Sequence, residues 1–350
     1  MITILDYEKV GMEGLLSRRD NAADVRDTVA AIIADVRQNG DKALFAYAEK
    51  FDHAALTSLE VTKEEMEEAL AVTEPEFMTI LERAAENIER FHMQQKRTGF
   101  ILNDRPGVVL GQKILPVDRA GIYVPGGKAP LSSTVLMDAI PARIAGVPEI
   151  VMVTAPNRQG KIDPAILAAA HVAGVKRIFK IGGAQAIAAL AYGTESVPRV
   201  DKIVGPGGAL AAEAKRQVYG QVSIDMIAGP SEVLIIADAK SDPRHLAADM
   251  LAQAEHDTMA AAMLITDSAP LAAAVARELE RQLPALERQE IARSSIENNG
   301  RIILVPDLAI GLDASNAIAP EHLELCVDEP FRWLDRVRHA GSVFLGRHCP

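Results

Sequence analysis

From about residue 107 to its end, the chain repeats one pattern: a short apolar run, a turn, then a stretch whose apolar residues return every three or four positions. GIYVPGG precedes STVLMDAIPARIAG, EIVMVT precedes DPAILAAAHVAG, RIFKI precedes GGAQAIAALAYG, and DKIVG precedes GGALAAEAKRQV. Short strands that alternate with crossover helices must lie parallel, with the helices covering the sheet faces. A second series follows, SEVLIIAD, MLITD, RIILVP and SVFLG, spaced by helical stretches such as 242–255 and 269–283. Upstream, residues 22–95 show only helical periodicity, as in DVRDTVAAIIADVRQNGDKALFAYAEKF and KEEMEEALAVTEPEFMTILERAAENIERFHMQQ. The expected fold is α/β: two Rossmann-like parallel-sheet domains with a helical N-terminal region. A chain of 350 residues, 49% of them hydrophobic, can fill two cores of that kind.

Charge and cysteine content narrow the partners. A formal net charge of −11, with no Lys/Arg run longer than a pair, argues against nucleic acid. MITILDYEKVGMEGLL carries acids early and lacks a basic segment followed by an apolar stretch and a cleavage site, and nowhere do 18 apolar residues run together, so no membrane partner is expected. Cys326 and Cys349 are too few for a disulfide framework and suit a reducing compartment; a cytoplasmic location is expected.

Glycines crowd the strand-to-helix turns of the first series: Gly126 and Gly127, Gly182 and Gly183, then Gly205, Gly207 and Gly208. That is the sheet edge at which ligands and anions collect, although glycine also serves ordinary tight turns. GPGGAL approaches a dinucleotide fingerprint, but Leu210 stands where the third glycine belongs. In SDPRHLAADMLAQAEHD, read as one helix from Ser241 to Asp257, the residues His245, Asp249, Gln253 and His256 fall within an arc of roughly 80°. All four are possible metal ligands, and a solvated polar face is the competing reading. In IAPEHLEL, Glu321 and His322 stand side by side, either as solvated residues or as a pair for proton transfer.

Taken together, DRAGIYVPGGKAPLSSTVLMDAIPARIAGV, IGGAQAIAALAYGTESVPRVDKIVGPG, IDMIAGPSEVLIIAD, ADMLAQAEHD and APEHLEL closely resemble histidinol dehydrogenase, in order and spacing, over nearly the whole chain from about residue 20. The resemblance implies NAD-dependent oxidation of L-histidinol through the aldehyde to L-histidine, with zinc positioning the substrate. Glu321 and His322 would be the acid/base pair, Glu321 activating the water that hydrates the aldehyde and His322 taking the alcohol and hydrate protons. Gln253 and His256 match zinc ligands, Ser231 matches a substrate contact, and Tyr123 and Gln185 match positions lining the NAD site. The expected division is a discontinuous catalytic domain of 1–122 and 232–350 around an NAD-binding insert, 123–231. A homodimer is expected from the same likeness.

Two departures bear on activity. The family's GPG continues with an Asn that contacts the cofactor, where this chain has Gly208; losing one amide hydrogen bond costs roughly 0.5–1.5 kcal/mol. After AGSVFLG the family pattern runs on, with an Asp and a His zinc ligand, whereas the sequence ends at Arg347-His348-Cys349-Pro350. Two of four expected ligands are thus in hand, so weak metal binding and a weakened dimer are expected. The alternatives at this stage are an NAD-linked dehydrogenase of another small amino or hydroxy alcohol, and a catalytically impaired remnant.

Overall fold

The computed structural model describes residues 1–16, 24–126, 131–227 and 229–349. Its strands, in chain order, begin with β1 (Thr3–Asp6) and the hairpin pair β2 (Phe100–Arg105) and β3 (Val108–Gln112). Next come β4 (Arg119–Tyr123), β5 (Glu149–Thr154), β6 (Arg177–Lys180), β7 (Lys202–Val204) and β8 (Ser223–Ile224). The series closes with β9 (Glu232–Ala237), β10 (Ala261–Thr266), β11 (Arg301–Leu304), β12 (His322–Cys326) and β13 (Ser342–Leu345). The chain divides into two compact units, one of Met1–Asn21 with Gly229–Pro350 and the other of Ala22–Ala228.

The first unit holds a parallel sheet ordered β1-β11-β10-β9-β12-β13. Its strands read EVLIIA, AAMLIT and RIIL, nearly continuous apolar runs, because both faces are covered. One face packs Val233, Ile235, Leu264 and Ile302 against Leu246, Met250 and Leu251 of the helix Pro243–Ala254. The other packs Leu234, Ile265, Ile303 and Leu323 against Leu308 and Leu312 of the helix Leu308–Ile318.

The second unit holds a parallel sheet ordered β6-β5-β4-β7-β8. The division expected from the resemblance groups residues 1–122 with 232–350; by contacts, the helices between Arg26 and His92 cluster with this second unit. Their apolar stripes explain it. Val29, Ile32, Val36 and Leu44 share a core with Phe179, Ile187 and Leu190, and Leu81 and Ala85 share one with Ile140 and Leu167. Both sheets are doubly wound: each runs outward in one direction from a central strand, β4 or β9, and then continues on that strand's other side. Among the described residues no helix is long and apolar enough to cross a membrane.

The edge strand β1 and one hairpin have no counterpart in the expected pattern. The hairpin β2–β3 turns at Gly107 (φ +77°) and exposes both faces, including Ile101, Leu102, Val109 and Leu110.

A buried carboxyl in the second unit gives a pH test. Asp138, on the helix Ser132–Ala145, has its Oδ2 buried without a hydrogen-bond partner. Burial, and then the charge of Asp225, push its carboxyl up from 3.8 to about 7. The folded chain therefore keeps a proton that the unfolded chain releases, so this group's stability contribution is complete below the unfolded value and is lost as pH rises through about 7. Asp138→Asn should shrink the loss of thermal stability between pH 5 and pH 8. An unchanged loss would mean that Asp138 does not titrate there.

Candidate active site

In the first unit, the amino ends of the strands collect the expected serine, acid/base and metal residues. Ala319, in the left-handed region at φ +54°, and Pro320 turn the chain out of the Leu308–Ile318 helix, so that β12 begins at His322. Glu321, just before the strand, accepts the Glu232 N–H at 3.2 Å through Oε2, which ties its carboxylate beside Ser231. Ser231 in turn accepts the Ala261 N–H at 3.0 Å through its carbonyl. Gly341 is required here by close approach: a Cβ would stand 2.7 Å from the Glu321 carbonyl oxygen. His322 is half-buried and pairs in register with Val233 and Ser342; its ring lies 6.0 Å from that of Phe344, tilted by 53°.

The helix Pro243–Ala254 crosses back over this sheet between β9 and β10, so its carboxyl end returns to the same amino edge. Register puts His322 on the face of Val233, the face this helix covers. Gln253 is buried in the helix's last turn. The expected helix through Asp257 is too long by three residues. It ends at Ala254, and His256 lies in the following turn, exposed, with its N–H donating to the Gln253 carbonyl at 3.3 Å. Two acids, Glu255 and Asp257, at a helix's negative end account for the early stop. Among the described residues no group of three His, Cys, Asp or Glu donors includes His256. Asp249 is half-buried beside Glu324 rather than on a solvated face, and burial pushes its carboxyl upward.

In the second unit, the carboxyl edge of the sheet carries the other expected residues. Tyr123 ends β4, and its buried hydroxyl accepts the Gly183 N–H at 3.1 Å. Gln185, 3% exposed, lies in the first turn of the helix Gly183–Tyr192. Gly208 caps the helix Ala209–Val218, and a Cβ there would meet nothing within 4 Å. Gly205, at φ +117°, and Gly207, whose Cβ would stand 3.2 Å from the Tyr123 ring, complete the turn. The sheet order reverses between β4 and β7, so Tyr123 and the Gly205–Gly208 turn flank the point where open sheets take nucleotides. Gly127 lies outside the described residues.

Two groups at this edge escaped the sequence reading. Asp52 Oδ2 is buried without a hydrogen-bond partner, and burial pushes its carboxyl up to about 6. Burial first, and also the charge of Asp52, push the Tyr123 hydroxyl upward. Lys215, 3% exposed, donates to the Gly205 carbonyl and, at 2.7 Å, to Asp225, whose other oxygen accepts the Gly205 N–H at 2.8 Å. Both sides of the Gly205 residue are thereby clamped. Nothing in AEAKRQV distinguishes this lysine from a solvated one; the only signal was its proximity in sequence to the glycine turn.

Two doubly wound open sheets, one with a glycine-lined switch point and the other with an acid, an imidazole and a serine at one edge, define a two-unit α/β protein. The family model for histidinol dehydrogenase matches residues 16–350. The histidinol dehydrogenase of Syntrophotalea carbinolica is 55% identical over 328 residues, covering 93% of this chain and 76% of that protein. That of Streptococcus mutans is 53% identical over 325 residues, with 93% and 76% covered. The crystal structure of histidinol dehydrogenase from Elizabethkingia anophelis superposes with a TM-score of 0.94 at 38% identity, covering 99% of this chain and 81% of that one. The chain belongs to the histidinol dehydrogenase family.

Proposed function

We propose that this protein oxidises L-histidinol through the aldehyde to L-histidine with NAD, the last steps of histidine biosynthesis. The observation that supports this reading is that Ser231, Glu321, His322 and the Gln253–His256 turn all lie at the amino edge of one sheet. Removing a hydride from an alcohol requires that its hydroxyl proton leave, and His322 is the base within that group. A second oxidation requires that the aldehyde first gain water, and Glu321 holds the carboxylate that deprotonates it. The Glu232 N–H fixes one oxygen of Glu321 and leaves lone pairs for that water. Ser231 would contact the substrate, and the same edge would bind it.

The second unit fits NAD by three features: the orphaned Asp52 oxygen, the tyrosine-backed glycine turn, and the open space at Gly208. Tyr123, Gln185 and Gly208 would line it, and the nicotinamide supplies the hydride acceptor. Gln253 and His256 offer an oxygen and a nitrogen donor that suit two positions of a zinc shell, where the ion would orient the substrate's nitrogens. The exposed apolar faces of the β2–β3 hairpin support a homodimer, and two cysteines held as free thiols support a cytoplasmic setting.

NADH formation from L-histidinol, compared with other small amino and hydroxy alcohols, tests the reading; turnover confined to the other alcohols would overturn it. Gly208→Asn should be accommodated without strain, since its φ of −65° is ordinary and its Cβ space is open. An amide there should lower the NAD dissociation constant about two- to tenfold, the value of one added hydrogen bond. Calorimetric titration of both proteins checks it, and equal or weaker NAD binding would remove that position from the cofactor site.

A further inference from the structure

Both cysteines of the chain, 23 positions apart, converge on one carboxyl group. Ligand atoms of Glu324, Cys326 and Cys349 all lie within 4.8 Å of one another. Glu324 and Cys326 sit on β12, 4% and 1% exposed, on the sheet face that the Pro243–Ala254 helix covers. Cys349 reaches them from beyond β13, partly buried, with its thiol donating to the Gly346 carbonyl at 2.9 Å. Asp249, from the helix above, lies against Glu324.

The cluster extends along β12 away from His322, with Glu324 two residues from it and the thiols toward the other end of the strand. Cys326 is four residues along β12 from His322, on the order of 13 Å at strand rise. It stands instead toward the carboxyl end of β12 where that strand meets β9, the reversal point of this sheet and the place where open α/β sheets take ligands. Four acidic groups, two carboxyls and two thiols, thus lie together, Glu324 and Cys326 buried and Asp249 and Cys349 partly so. Of the cationic groups nearby, the Arg347 terminal nitrogens pair with Asp238 at 2.5 Å and with Asp328 at 2.7 Å, Lys240 pairs with Asp328, and His245 faces Asp249 with its ring 5.8 Å from that of His348. Two sulfurs and one carboxylate oxygen are the donor set of a borderline-soft, tetrahedral ion, with a fourth position left for water. Asp249 is then the outer carboxyl that holds Glu324 in place.

We propose that Cys326, Cys349 and Glu324 bind one divalent cation of the zinc class, with the thiol protons passing to solvent as the thiolates coordinate it. The site is separate from Gln253 and His256, which offer no sulfur, and this difference makes the test. The reduced full chain is titrated with Co2+, whose thiolate complexes show sulfur-to-metal charge-transfer absorption that nitrogen and oxygen sites lack. The band should saturate at one equivalent, persist in His256→Asn, and vanish in Cys349→Ser, a change at a partly exposed position that leaves the core intact. Asp249→Asn should weaken Co2+ binding about tenfold, as loss of an outer carboxyl does. The proposal is overturned by absence of a sulfur band in the reduced protein, by a band that survives Cys349→Ser, or by one that disappears in His256→Asn.

Discussion

Glu321→Gln should slow the oxidation of the aldehyde by a factor of about 10²–10⁴ while slowing that of the alcohol much less, the usual span for one general base. The asymmetry follows from what each half-reaction needs. The alcohol has only its own proton to lose, which His322 would accept under the proposed roles, whereas the aldehyde must first take up the elements of hydroxide. Glutamine preserves the size of the side chain and offers a carbonyl oxygen to the Glu232 N–H, so the backbone tie at 3.2 Å can survive while the negative charge is removed. Steady-state rates with L-histidinol and with the aldehyde supplied directly separate the two steps. Equal loss in both would deny Glu321 its role as water activator.

The largest effect on stability is expected from Lys215→Met. The lysine side chain is 4% exposed and its partner Asp225 is 26% exposed. Removing the ammonium strands Asp225 beside a second carboxyl, Asp138, whose titration already responds to the Asp225 and Lys215 charges. Breaking a buried pair costs about 3–5 kcal/mol. The partial exposure of Asp225 puts this one near the lower end, at about 3 kcal/mol, or a fall of about 6–12 °C in the Tm of a unit this size. The Gly205 carbonyl also loses its donor, so NAD binding should weaken alongside. Differential scanning calorimetry reads the first effect; a Tm lowered by less than about 2 °C would mean that the pair contributes little beyond an exposed one.

The parts of this molecule that were legible in the sequence are those written locally. Each strand of the two parallel sheets is a short apolar run followed by a turn and a helix with a 3.6-residue stripe, and each signal survives without knowledge of its neighbours. Asp242 as the cap of the Pro243–Ala254 helix and Gly208 as the cap of the next unit's Ala209–Val218 helix belong to the same local grammar. What escaped depends on tertiary partners. The stripe of Val29, Ile32 and Val36 states that the helix has a buried face but not that Phe179 and Ile187 cover it. The β2–β3 hairpin carries no clean alternation because neither face is buried. Lys215 and Asp138 read as ordinary helix-surface residues until the fold places Gly205 and Asp225 beside them. His256 was expected on the helix face because periodicity cannot register where two carboxylates end the helix.

One site is expected to perform both oxidations, with Glu321 and His322 as its paired groups. The most direct measurement is the stoichiometry of a limited reaction: excess NAD, a known amount of L-histidinol, NADH read by absorbance and the organic product by chromatography. Two NADH per L-histidinol consumed, with L-histidine as the product and no aldehyde accumulating, is the expected result. One NADH per molecule, with the aldehyde released, would contradict it.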